Sequence, residues 1–120
     1  MEEENWEGLE MEDFEPTLQK QTQFFSTSKP EPIMTDLMAL LKSGVVEAEG
    51  LSMSSSKWKL KFVLKDARSG PIQCNASLLR VDDSMLCVEF ARKSGDQMVF
   101  LEKFKAIKTA LNVYNDATFE

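Results

Sequence analysis

Lysine and apolar residues alternate in the run Lys57-Trp58-Lys59-Leu60-Lys61-Phe62-Val63-Leu64-Lys65. Lys57, Lys59, Lys61 and Lys65 share one parity, and Trp58, Leu60, Phe62 and Leu64 share the other. A period of two is that of a strand with one face on a core and the other in water. The wet face is then a stripe of lysines. Further on, Asp66 to Pro71 is turn chemistry, Ile72 to Val81 a second strand, Asp82-Asp83-Ser84 a turn, and Met85 to Ala91 a third strand. Lys93-Ser94-Gly95-Asp96 forms another turn. Val45 to Ala48 is a short strand candidate, and Ser52 to Ser56 reads as a loop.

Helical spacing flanks these strands. Pro30 and Pro32, with Glu31 between them, suit a first helical turn. Ile33, Leu37, Leu40 and Leu41 form the stripe of that helix and Gly44 closes it. Phe100, Leu101, Phe104, Ile107 and Leu111 mark an amphipathic C-terminal helix. The expected helices lie near residues 31 to 43 and 98 to 112. Short loops between strands require antiparallel pairing. The expected fold class is therefore α+β: a two-layer sandwich with an antiparallel sheet of four or five strands and two helices on one face. The expected core is Trp58, Phe62, Leu64, Leu78, Val88, Phe90, Phe104, Ile107 and Leu111.

Charge divides the 120 residues unevenly. Residues 1 to 15 hold eight acids and no base, whereas the whole chain has 20 acids and 14 bases, a net charge of −6. The rest of the chain thus carries +2, a mildly basic domain behind an acidic leader. Residues 1 to 21 read as a disordered leader, residues 22 to 113 as the domain and 114 to 120 as a tail. The leader also holds Trp6, Leu9, Met11, Phe14 and Leu18, more apolar residues than a purely solvating tail needs. Docking on the domain or on a partner is therefore the alternative. Phe24 and Phe25 are expected to be tucked in.

The catalytic repertoire is thin. There is no histidine, and the two cysteines alone do not make a standard zinc site. Phosphate-binding glycine loops are absent. Asp82 and Asp83 sit in a turn, where aspartates serve the backbone. No catalytic residue, cofactor or metal is expected. Cys74 falls on the inward parity of its strand and Cys87 on the outward one. The expectation is two free thiols on opposite faces, Cys74 buried and Cys87 exposed, in a reducing compartment. The N-terminus lacks a basic segment followed by an apolar run, so the expected location is intracellular.

Several segments resemble a known family. Gln23-Phe24-Phe25-Ser26 before the first helix is one part. Leu78-Leu79-Arg80-Val81-Asp82-Asp83, Val88-Glu89-Phe90, Lys93-Ser94-Gly95-Asp96 and Phe100 to Leu111 form the other. Together they resemble the kinase-associated-1 domain at the C-terminus of several serine/threonine protein kinases, above all DNA-damage checkpoint kinases of the cell cycle. A weaker likeness is to the regulatory domains of plant calcineurin-B-like-interacting and sucrose-nonfermenting-type kinases. The resemblance implies a non-catalytic regulatory domain that binds and autoinhibits a kinase catalytic domain, in cis or in trans, in nucleus and cytoplasm. It also implies anionic phospholipid as another partner. The chain departs from checkpoint kinases in having Lys20 alone, among Gln19, Gln21, Thr22 and Gln23, before the paired aromatics.

Candidate binding residues for protein or lipid are Lys57, Lys59, Lys61, Lys65, Arg92 and Lys93. Phe24, Phe25, Asp82, Asp83, Gly95 and Asp96 are motif positions. The alternative for the lysines is a solvated face that guards a strand against aggregation. No nucleic-acid partner is expected, because the exposed parity of the lysine strand has no aromatic for base stacking.

Overall fold

The alternating run from Lys57 to Lys65 supplies the second-to-last strand of a five-stranded sheet. The structure, a computed structural model, describes residues 8–15 and 22–118. Its strands are β1 (Gln23–Ser26), β2 (Ala48–Met53), β3 (Lys59–Leu64), β4 (Ile72–Asp82) and β5 (Met85–Ser94). Helix α1 (Pro30–Ser43) follows β1, and helix α2 (Gln97–Ala110) follows β5. The spatial order is β1-β5-β4-β3-β2, and every neighbouring pair is antiparallel. This is the expected α+β sandwich, with the helices on one face of the sheet.

Burial follows the parity of each strand. Trp58, Leu60, Phe62 and Leu64 turn inward from β3 and its approach, Ile72, Cys74, Ala76 and Leu78 from β4, and Leu86, Val88 and Phe90 from β5. Ile33, Met34, Leu37, Met38 and Leu41 of α1 meet them, as do Val99, Phe100, Phe104 and Ile107 of α2. Phe90 lies edge-on to Phe104 at 5.4 Å and to Phe62 at 6.5 Å. All nine expected core residues are buried.

The helix boundaries have visible causes. Pro30 opens α1 and Gly44 ends it at φ 91°. Asp96 caps α2, its Oδ1 accepting from Val99 N at 2.9 Å. The β4–β5 turn is held by Asp82 Oδ1, which accepts from Ser84 N at 2.7 Å and from Ser84 Oγ at 2.9 Å. Asp83 is an exposed turn residue beside it.

Several elements differ from expectation. Gln23–Ser26 forms strand β1, paired with β5 from Gln23↔Glu89 to Ser26↔Leu86. Strand β2 begins at Ala48 and takes in Ser52 and Met53, which read as loop, while Val45 is 61% exposed. A bulge between Glu49 and Ser52, with Gly50 at φ 64°, breaks the alternation that would have marked this strand.

Part of the acidic segment lies against the sheet. Glu10 N donates to Ser56 O at 2.8 Å, Arg80 N to Glu12 O at 2.8 Å, and Phe14 N to Arg80 O at 2.7 Å. Residues 8–15 thereby continue the lane of β3 beside the far half of β4. Leu9 and Met11 pack against the core, and Phe14, on the other parity, meets Phe25 edge-on at 5.4 Å. The disordered leader expected for residues 1 to 21 is thus replaced at residues 8–15 by a docked segment; residues 1–7 and 16–21 lie outside the described residues. At the other end, Thr27 N donates to Asp116 Oδ1 at 2.6 Å and Ala117 bridges Phe25, so residues up to 118 return to the β1 edge.

Cys87 also differs from expectation. Both cysteines are free and lie on opposite faces, but Cys87 is fully buried rather than exposed. Outward-facing Phe25, Cys87 and Leu79 lie in register across β1, β5 and β4. Phe14 packs edge-on against Phe25 in this apolar row, a neighbour that no parity rule applied to β5 alone reveals.

Candidate anion site on the outer sheet face

Strand β3 directs Lys59, Lys61 and Val63 to the face away from the helices. Directly across, β4 places Ser77 opposite Lys59, Asn75 opposite Lys61 and Gln73 opposite Val63. Side chains so paired are a few ångströms apart on one face. Lys93, at the end of β5, comes beside them because Gln73 pairs with Ser94. Lys59, Lys61, Lys93, Gln73, Asn75 and the Gly50 bulge line one open depression of about 420 Å³.

The candidate lysines therefore fall into two groups. Lys57 Nζ lies 3.5 Å from Glu12 of the docked segment, and Lys65 Nζ lies 3.0 Å from Glu49 of β2. The Glu49 carboxylate raises the Lys65 ammonium above its ordinary value. Lys59, Lys61 and Lys93 form no ion pair among the described residues. The stripe is thus neutralised at both ends and cationic at its centre, where Lys93 joins it from another strand. Sequence parity found Lys59 and Lys61; the addition of Lys93, Gln73 and Asn75 needed the register of three strands.

Arg92 stands apart from the depression. It is exposed, and its Nη1 donates to Gly95 O at 3.0 Å across the turn into α2. Gly95 has φ 103°, and a Cβ there would come within 2.8 Å of Ile72 Cα and Pro71 O. Gly95 and Asp96 are thus turn and cap residues, Phe24 is core, and Phe25 belongs to the outer apolar row.

A second charged cluster ties the β3–β4 turn to α2. Arg68 and Lys103 meet Asp66 at 2.7 and 3.1 Å, and Arg68 reaches Glu102 at 3.2 Å. Hydrogen bonds from Arg68 hold the Asp66 carboxyl well below the usual carboxylate range. Its charges are mutually satisfied, so it is a clamp and not a ligand site. Among the described residues, no three cysteine or acidic side chains are grouped to hold a metal ion. No helix among them is long and apolar enough to cross a membrane.

No protein-family model matches the chain, and no curated protein matches it. A solved structure does: a chain of the adenylate sensor from AMP-activated protein kinase, crystallised in complex with ATP, superposes with a TM-score of 0.58 at 11% identity. The match covers 73% of this chain and 93% of that one. At this identity the likeness is one of fold. That shared fold spans nearly the whole of the matched chain.

Proposed function

We propose that this chain is a non-catalytic regulatory domain of the kinase-associated-1 type, which binds and restrains the catalytic domain of a checkpoint-type serine/threonine kinase in nucleus and cytoplasm. The observation that carries this reading is the fold, which spans 93% of a chain from a kinase's adenylate sensor. The residues of the sequence resemblance support it independently. Gln23–Ser26 becomes β1, the Arg80–Asp83 stretch ends β4, and Lys93–Asp96 forms the turn and cap that launch α2. A catalytic role draws no support from a site whose side chains are lysines and carboxamides around an open depression.

The test is inhibition in trans. The chain, added to isolated catalytic domains of a checkpoint kinase and of a plant calcineurin-B-like-interacting kinase, should inhibit the first. Arg92→Glu should weaken the effect, since Arg92 is an exposed guanidinium beside the turn and able to pair with carboxylates in two places. Inhibition of the plant enzyme alone would reassign the subfamily. Absence of inhibition of both at tens of micromolar would remove the reading. Anionic phospholipid as the partner has less behind it, because two of the four lysines it would use already face Glu12 and Glu49.

A further inference from the structure

The depression on the outer sheet face holds a polar group that the fold does not use. Asn75 is only 6% exposed, yet its carboxamide makes no hydrogen bond among the described residues. A polar side chain buried to that degree normally has a partner within the protein. Among the described residues no buried polar side-chain atom is sealed off without one, so the carboxamide of Asn75 opens onto the depression that it lines. Gln73 adds a second carboxamide, and the unpaired Lys59, Lys61 and Lys93 surround both.

Three ammonium groups and two amide donors around about 420 Å³ are suited to a small, doubly charged oxyanion. The surroundings argue against an extended anionic surface. Glu12 and Glu49 stand at the two ends of the lysine stripe, and Glu89 points from β5 on the same face. A flat anionic bilayer would press on these carboxylates, whereas a single oxyanion fits between them. We propose that the depression binds a phosphate monoester, namely the phosphorylated side chain of a serine or threonine in a partner protein. Such a group is close to dianionic at neutral pH and offers three strong acceptors. Lys59, Lys61 and Lys93 balance its charge, while Asn75 and Gln73 donate to its oxygens. The site stands on its own residues, and its test contains no kinase.

The full chain is titrated with a short phosphoserine peptide, the unphosphorylated peptide, inorganic phosphate, and phosphatidylserine vesicles. Side-chain amide resonances of Asn75 and Gln73 report occupancy, and calorimetry gives affinity. The phosphopeptide should shift both amides and the unphosphorylated peptide neither. Lys61→Gln and Lys93→Gln should each weaken binding by about tenfold, and Lys65→Gln, off the depression, by less than about twofold. Both lysines are exposed, so melting curves of these variants should match the parent. Asn75→Ala should weaken binding with the lysines intact. Equal loss in Lys65→Gln, or no shift at millimolar phosphopeptide, would overturn the site. Tighter binding of vesicles than of phosphopeptide would replace it with a membrane surface. Inorganic phosphate binding as tightly as the phosphopeptide would overturn the protein partner.

Discussion

At Gly95 two constraints coincide. Its φ of 103° lies where side chains with a Cβ are strained, and a Cβ there would come within 2.8 Å of backbone atoms of Pro71 and Ile72. Gly95→Val should destabilise the domain by more than the usual surface substitution, measured as a lower denaturant midpoint. A neutral effect would mean that the β5–α2 turn can relocate. Phe104 tests the core instead. It is 4% exposed and stacks edge-on to Phe90, so Phe104→Ala should cost about 3 to 5 kcal/mol. The cysteines add a pH dependence. Burial raises both thiols from an ordinary 9.0 to about 12. The folded state therefore holds these protons more tightly than the unfolded chain does. Their contribution is fully present below pH 9 and is lost between about pH 9 and pH 12, with stability falling as pH rises. Cys74→Ser, or the corresponding change at Cys87, should flatten that part of the profile relative to its own stability at pH 7.

Among the elements, β3 was legible from sequence because its alternation is local and interrupted only at Val63. The same is true of the two helices, whose stripes, prolines and Gly44 lie within a few residues of the structure they cause. Strand β1 was not legible. Four residues carry too little period, and what makes them a strand is pairing with β5, 60 to 66 positions away. In β2 the Gly50 bulge hides the period. The candidate site divides in the same way: Lys59 and Lys61 followed from parity, whereas Asn75 and Lys93 meet them only through sheet register. Residues 8–15 posed the hardest case, since charge argued for solvent while Leu9, Met11 and Phe14 argued for docking. The structure resolves it in favour of the apolar positions. If Phe14 is what covers Cys87, Phe14→Ala should speed alkylation of Cys87 in the native protein and leave Cys74, on the helix side, unchanged. Equal acceleration of both thiols would indicate global unfolding instead of local release.

For the molecule as a whole, the distribution of charge matters more than its sum. The net −6 becomes +2 when residues 1 to 15, with eight acids and no base, are removed. In the fold residues 8–15 of this segment are not a remote tail, because Glu12 lies 3.5 Å from Lys57 and the backbone of residues 10 to 14 is bonded to Ser56, Trp58 and Arg80. An exposed pair of this kind contributes about 1 kcal/mol or less and is weakened further by salt. The backbone bonds and Phe14 therefore do most of the holding, and the carboxylates mainly offset the field of the lysine face. Deleting residues 1 to 15 should free Lys57 to join Lys59, Lys61 and Lys93, adding about 1 kcal/mol of attraction per lysine near an anionic surface. The truncated chain should then bind anionic vesicles or a polyanion resin that the intact chain does not retain, and release them as salt rises. Retention unaffected by salt would point to the apolar row exposed by loss of Phe14. Equal behaviour of the two chains would show that residues 8–15 do not govern the lysine face.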